Sequence, residues 1–377
     1  MLIQDYVSTI PKTPYAHKGF EESISFNKKS FKLEDQSQEW QSQMRNFGQR
    51  MNEKGVCLIY FVHGTFAGDS PLGFVKLFDQ KHSSFGALCK KFTKEYIVDI
   101  VLGDCGNYAK KYVELFEKAI DNKICCKRPI WSSEDNHVGR LIAAMELVKT
   151  IAKDIEHPKI NRQKKRILLQ GHSHAGQLFA LISNFLFSSS PEVGKLCDIA
   201  LNSKRGKHIS KFDESLQAVK QHSLDFVTFG TPPLYKWAAA NDYRLLNIIN
   251  HRGYSDHKHL ANVDLCTRMF YLNFPLTKDG DYVQQFGITG SDLPTIAGRD
   301  IKEQLSEIFG KKTGLIGWLK KTKIKMRVPS HGKTILVDYK DNNTYLPNCH
   351  KTLLGHGVYT RFEKMLFNTK LIVDEMY

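Results

Sequence analysis

Three kinds of side chain in this sequence have the chemistry to act together: a serine, a histidine and a set of carboxylates. Ser173 lies in Gly171-His172-Ser173-His174-Ala175-Gly176, His356 lies in Gly355-His356-Gly357, and Asp279 and Asp281 share the turn-rich loop from Pro275 to Val283. A serine hydroxyl is a weak nucleophile at neutral pH. It attacks an acyl carbon only when an imidazole takes its proton, and a carboxylate on the second imidazole nitrogen fixes the tautomer and steadies the cation that forms. The reaction open to such a set is acyl transfer to serine, followed by release to water. Competitors exist for each role. Asp256 and Asp264 are further carboxylates, and Asp338 sits inside a strand pattern whose alternation carries it away from the strand end. His350 competes with His356, whereas His331 precedes the last strand, where a base is not expected. His172 and His174 flank the serine, but neighbouring side chains at a sharp turn diverge, so packing and local hydrogen bonding are expected of both.

The elements that must hold these residues are legible in the spacing of apolar side chains. Ile167, Leu168 and Leu169 form a short buried run before the serine, and Leu178, Phe179, Leu181, Ile182, Phe185 and Leu186 follow at helical spacing. This is strand, sharp turn, helix, with small residues around Ser173 because the backbones there come close. Val56 to Val62 is a continuous apolar run, as a strand buried on both faces requires, and it ends in His63-Gly64-Thr65-Phe66-Ala67-Gly68. Further strands are expected at Glu95 to Asp104, Pro129 to Trp131, Phe226 to Phe229, Arg268 to Phe274 and Thr334 to Tyr339. Helices are expected through Val113, Phe116 and Ile120, from Val138 to Ile155, and at the C-terminal end through Phe362, Met365, Leu366, Ile372 and Val373. Near the start, Phe20, Ile24, Phe26 and Phe31 suggest an edge hairpin, and Glu39 to Met51 a polar helix. Ser188 to His222 reads as a polar excursion over the surface. Repeated strand-helix alternation predicts an α/β fold, a mostly parallel central sheet covered by helices on both faces, with its sites at the carboxyl ends of the strands.

Serine, then acid, then histidine is the order found in α/β-hydrolases. Over residues 55 to 377 the chain resembles that superfamily, specifically its lipase- and esterase-like members. The resemblance is carried by His63-Gly64-Thr65, the serine turn Gly171 to Gly176, Val227 to Pro233, and Gly355-His356-Gly357. One departure is visible: Ala175 stands where the G-x-S-x-G pattern has its second glycine, and Gly176 follows. The resemblance implies Ser173 as nucleophile, His356 as base and Asp281 as acid, since Asp281-Tyr282-Val283 looks like the Asp-x-Val loop of these enzymes; Asp279 is its alternate. It also implies an oxyanion hole from two backbone N–H groups, one from His174 and one from Thr65, with Phe66 the second choice for the latter. It divides the chain into an N-terminal extension, 1–50, and a catalytic domain, 51–377, with lid-like insertions at 188–222 and 291–330. The implied activity is hydrolysis of carboxylic esters, lipid or fatty-acyl esters first. A thioesterase or amidase would use the same set, and a non-catalytic relative would keep the fold to bind a membrane or a partner.

Composition narrows the partners. The net charge of +15 favours anionic ones. No zinc-ligand spacing, helix-turn-helix or aromatic RNA-binding motif accompanies it, so nucleic acid is not expected. Between Ile308 and Val337 there is no acidic residue, while Lys311, Lys312, Lys320, Lys321, Lys323, Lys325 and Arg327 accompany Phe309, Leu315, Ile316, Trp318 and Leu319. A basic amphipathic segment of this kind suits the headgroup region of an anionic membrane, and a helical insertion packed on the core would read the same way. His251, His257 and His259 match no standard metal spacing, so neither metal nor cofactor is expected. The eight cysteines (57, 89, 105, 125, 126, 197, 266 and 349) lack a disulfide framework, which suggests a reducing compartment. The first residues have neither the basic nor the apolar region of a signal peptide, and no apolar run approaches 18 residues. A cytoplasmic or peripheral-membrane protein is expected, with signal-less export left open.

Overall fold

The computed structural model describes residues 16–20, 24–64, 103–134, 136–157, 160, 163, 165–203, 206–232, 234–239, 243–250, 280–281, 283–284, 308, 331–339 and 355–377. Among the described residues, seven strands form one sheet: β1 (Ala16–Gly19), β2 (Val56–Val62), β3 (Cys125–Lys127), β4 (Arg166–His172), β5 (Ser223–Phe229), β6 (Arg244–Asn250) and β7 (Lys333–Asp338). Their spatial order is β1-β7-β6-β5-β4-β2-β3, and every neighbouring pair is parallel. The expected α/β class with a parallel, helix-flanked sheet is what forms.

Alternation along the strands divides the core in two. Leu58, Tyr60, Val62, Ile167, Leu169, Leu224 and Phe226 enter one cluster with α3 (His137–Ile155), α4 (Ala175–Phe187), α5 (Pro191–Asn202) and α6 (Phe212–Lys220). Ile59, Phe61, Leu168, Val227, Phe229, Leu246 and Ile248 enter the other, with α1 (Gln38–Glu53), α2 (Lys110–Ala119) and α7 (Met365–Met376). Period two on the sheet thus meets helices on both faces. Side-chain caps open α1, α3 and α5. Ser37 accepts from Trp40 N ahead of α1, whose buried residues Trp40, Met44, Phe47 and Met51 recur every three or four positions. Asn136 accepts from Gly139 N at 2.7 Å ahead of α3.

Four expectations need correction or restriction. The N-terminal hairpin is replaced by β1, which pairs with β7, while Phe26 and the residues after it form turns and a single 3-10 turn, Leu33–Asp35. The short strand lies at Cys125–Lys127 instead of Pro129 to Trp131. Pro129 has no N–H to give a ladder, and Trp131 donates instead to His63, Nε1 to the carbonyl at 2.8 Å. The polar stretch after α4 contains α5 and α6, whose Val193, Leu196, Ala200, Phe212 and Val219 are buried against the core. β6 was not anticipated at all, although six of its seven residues are buried. The strands expected at Glu95 to Asp104 and Arg268 to Phe274 and the insertion at 291–330 lie outside the described residues, apart from Gly103 and Asp104, which form a turn, and Ile308.

The sheet order creates a switch point. From β2 the chain passes to β3 on one side; from β4 it proceeds through β5, β6 and β7 on the other. β2 and β4 are neighbours, so the crevice of this switch opens outside their carboxyl ends, where open α/β sheets take their ligands. His63-Gly64 follows β2 there, and Ser173 follows β4.

Candidate active site

Ser173 occupies the turn between β4 and α4 with φ 56°. The left-handed region costs a non-glycine residue about 1–2 kcal/mol, so the surroundings must hold it. They do so from β5 and its exit loop: Ser173 N donates to Phe229 O at 2.8 Å, and Thr231 Oγ1 donates to Ser173 O at 2.7 Å. Crowding explains the composition of the turn. A methyl added at Gly176 would lie 2.3 Å from Thr231 Oγ1, and one at Gly171 would lie 2.9 Å from Ala175 Cβ. Alanine is therefore accommodated at 175 because position 171 is glycine, and a side chain is excluded at both Gly171 and Gly176. His174 is the N-cap of α4, so its backbone N–H belongs to the positive end of that helix.

The loop after β2 abuts the serine. A methyl at Gly64 would lie 2.6 Å from Ser173 Cβ. Its carbonyl accepts from Ser133 Oγ at 2.9 Å and lies 3.0 Å from His63 Nδ1. Trp131 N donates to His63 Nε2 at 3.4 Å, an arrangement that puts the His63 proton on Nδ1. Thr65 and Phe66, the expected oxyanion donors of this loop, lie outside the described residues, as do Asp279, Asp256, Asp264 and His350.

Asp281 and His356 come together. His356 Nδ1 donates to Asp281 Oδ2 at 2.8 Å, with both side chains buried. Oδ2 also accepts from Tyr359 O–H at 2.7 Å, and Oδ1 accepts from Gln284 N at 2.9 Å. Asp281 reaches this point from the end of β6, where its N–H donates to Asn250 O at 2.9 Å. Asn250 joins the two loops: its side-chain amide donates to Gly355 O at 2.9 Å, and its backbone N–H donates to the Tyr359 oxygen at 2.8 Å. Burial and the neighbouring Asp281 charge push the Tyr359 phenol well above its ordinary pKa, so it remains a donor. Gly230, at φ 58°, leaves room for the pair, because a methyl there would lie 2.4 Å from Asp281 Oδ2.

The segment after His356 is clamped from the other side. Gly106 N donates to Gly357 O, Asn107 N to Thr360 Oγ1, and Arg361 pairs with Asp104 at 2.7 Å. His172, at the end of β4, donates Nε2–H to His356 O at 2.8 Å, and the two rings lie 4.5 Å apart between centroids. Burial, then repulsion from a charged His356, hold His172 well below the ordinary histidine pKa, with the backbone of His356 and Gly106 acting the other way. His356 Nε2 is buried and has no hydrogen-bond partner among the described residues. It therefore makes no hydrogen bond to Ser173 in this structure.

Contacts thus run from Ser173 through Gly64, His172 and His356 to Asp281. The competitors His331 and Asp338, which are described, lie elsewhere. His331 precedes β7, with its carbonyl accepting from Asn247 Nδ2 at 3.0 Å, and Asp338 pairs with Gly19 in the sheet. Asn250, Gly230, Tyr359 and the contact of His172 with His356 were missed. Asn250 closing an apolar strand and Gly230 breaking one were the available signals. Among the described residues, no three His, Cys, Asp or Glu side chains converge as metal ligands, and no helix is long and apolar enough to cross a membrane. Among the described residues, Cys126 and Cys197 are free thiols. No family model, curated protein or solved structure matches this chain.

Proposed function

We propose that this chain is a serine hydrolase with the α/β-hydrolase fold, cleaving carboxylic esters through an acyl-enzyme on Ser173. The observation that carries the reading is a buried imidazole, His356, bonded through Nδ1 to buried Asp281 while Nε2 has no partner among the described residues, beside a left-handed serine at the switch point of a parallel sheet. An unpartnered buried nitrogen is costly and calls for a reason. A base awaiting the serine proton is that reason.

In the reaction, Ser173 Oγ attacks the acyl carbon as His356 Nε2 takes its proton, and the carbonyl π electrons move onto oxygen. The oxyanion is met by the His174 N–H at the start of α4 and by the N–H of Thr65, each donor contributing about 3–4 kcal/mol. Asp281 balances the imidazolium. Collapse expels the alcohol, which receives the proton from His356. Water, deprotonated by the same nitrogen, then attacks the acyl-enzyme and releases the acid, restoring Ser173. The strand order and the Ser-Asp-His sequence order support the α/β-hydrolase assignment. The basic amphipathic stretch between Ile308 and Val337 supports fatty-acyl or phospholipid esters at an anionic surface as substrates.

A fluorophosphonate probe tests the reading directly. The protein is expected to be labelled at Ser173 and to hydrolyse p-nitrophenyl esters, and Ser173→Ala to do neither. Wild-type protein that is neither labelled nor active on short or long acyl chains overturns it.

A further inference from the structure

We propose that His172 is a positioning residue for the base: its Nε2–H holds the backbone carbonyl of His356 and its ring supports the His356 ring. The inference rests on the serine-hydrolase reading and adds to it the part that orients His356 toward Ser173.

The need for such a part follows from the local sequence. His356 stands between Gly355 and Gly357, and Gly355 has φ 80°. Glycine on both sides gives the base a pliable backbone, held at its flanks where Asn250 Nδ2 donates to Gly355 O and Gly106 N donates to Gly357 O; the carbonyl of His356 itself lies between those two points. The Asp281 bond fixes one ring nitrogen, and a ring held at one atom can still swing about it. His172 supplies a second anchor from a rigid element. It is the last residue of β4, paired opposite Phe229 of β5 in the middle of the sheet, and it is adjacent in sequence to Ser173. One strand end therefore carries both the nucleophile and the support of its base. Their separation is set by a single peptide unit and the 2.8 Å bond to the His356 carbonyl.

The chemistry of the side chain suits the task. The His356 carbonyl accepts, so a neutral His172 carries its proton on Nε2 and leaves Nδ1 bare. Nδ1 is buried with no hydrogen-bond partner among the described residues, 3.3 Å from where a methyl on Gly64 would sit. The groups facing the ring are His356, Tyr359 at 5.7 Å between centroids, the Gly106 carbonyl, and Gly64. Beyond them lies Asp281, already engaged by His356 and Tyr359. A second cation at His172 would stand against the His356 imidazolium that forms during the reaction. A neutral imidazole gives the donor without that charge, which a lysine or arginine could not.

Two substitutions and one spectrum test this. His172→Phe keeps a ring and deletes the donor, whereas His172→Gln keeps an amide N–H near the position of Nε2. In His172→Phe, kcat on a p-nitrophenyl ester and the rate of fluorophosphonate labelling are expected to fall about 100-fold with KM changed less than about threefold, the scale of a base displaced by roughly 1 Å. His172→Gln is expected to recover to within about tenfold of wild type. Nitrogen-15 NMR of the imidazoles in unsubstituted protein is expected to show His172 neutral with the proton on Nε2, and this needs no variant to fold. Folded His172→Phe with full kcat, a Gln variant no better than Phe, or an Nδ1–H tautomer each overturns the proposal. Wild-type protein without labelling or turnover defeats the hydrolase reading and this one with it. An active wild type with an indifferent His172 defeats this one alone.

Discussion

Replacing Asp281 by asparagine changes one atom and sets two requirements of the site against each other. Two donors converge on Oδ2, the Nδ1–H of His356 and the O–H of Tyr359, and a third, Gln284 N–H, points at Oδ1. If the asparagine amide turns its oxygen to His356 and Tyr359, its NH2 meets the Gln284 N–H donor to donor. If it turns the NH2 toward them, His356 must accept on Nδ1 and move its proton to Nε2, where it can no longer take one from serine. Either arrangement strips the imidazolium of its counter-charge. The loss expected where a buried triad carboxylate is removed this way is about 10⁴ in kcat, or about 5.5 kcal/mol of transition-state stabilisation. Exchanging charge-assisted bonds for neutral ones, with one donor left opposed, costs about 3 kcal/mol of folding stability. Steady-state hydrolysis of a soluble p-nitrophenyl ester, with thermal unfolding alongside, measures both. KM should stay near its starting value. A folded Asp281→Asn protein with kcat within tenfold of wild type refutes the reasoning, most decisively if Asp279→Asn is the variant that fails.

The remaining predictions concern strain, charge and surface. Gly230→Ala puts a methyl 2.4 Å from Asp281 Oδ2 and 2.6 Å from Tyr359 Cε2 at positive φ; strain and overpacking together should lower unfolding free energy by about 3 kcal/mol in a denaturant titration, and kcat should fall with it. Ser173→Gly relieves the left-handed φ, so it should unfold about 1 kcal/mol later while losing turnover, whereas Ser173→Ala loses turnover with no such gain. Because the folded state holds His172 well below the ordinary 6.5, the unfolded chain binds a proton that the folded chain refuses. Stability should therefore fall as pH drops below about 6.5, by up to about 1.4 kcal/mol per pH unit for this group. Half-buried His222, also lowered by burial, adds in the same sense, and His172→Phe should flatten the slope measured by chemical denaturation. Neutralising four of Lys311, Lys312, Lys320, Lys321, Lys323 and Lys325 should weaken binding to anionic vesicles at about 1 kcal/mol per charge and leave soluble-ester turnover intact; unchanged vesicle binding defeats the membrane reading.

Local pattern alone determined much of this protein. The apolar run of β2, the strand, turn and helix around Ser173, the three-and-four spacing of α2, α3 and α7, and a parallel α/β architecture all follow from periodicity and turn chemistry. Each is fixed by neighbours within a few residues. Other features depend on contacts remote in sequence. β6 reads R-L-L-N-I-I-N, too short for periodicity to separate it from helix, and its pairing with β5 and β7 decides it. α5 and α6 look polar because only one narrow face of each is buried. Spacing left several carboxylates open for His356, and the residue that meets it is Asp281, 75 positions away, drawn in by the bond from its N–H to Asn250. Gly230 is glycine because Asp281 and Tyr359 arrive from distant loops to fill the space beside it. His172 reads as a packing residue beside a serine until the fold sets the His356 carbonyl 2.8 Å from its Nε2. Which side chains could react is written in residue type and order; which of them meet is decided by strand order and by hydrogen bonds between loops, neither of which has a local signature.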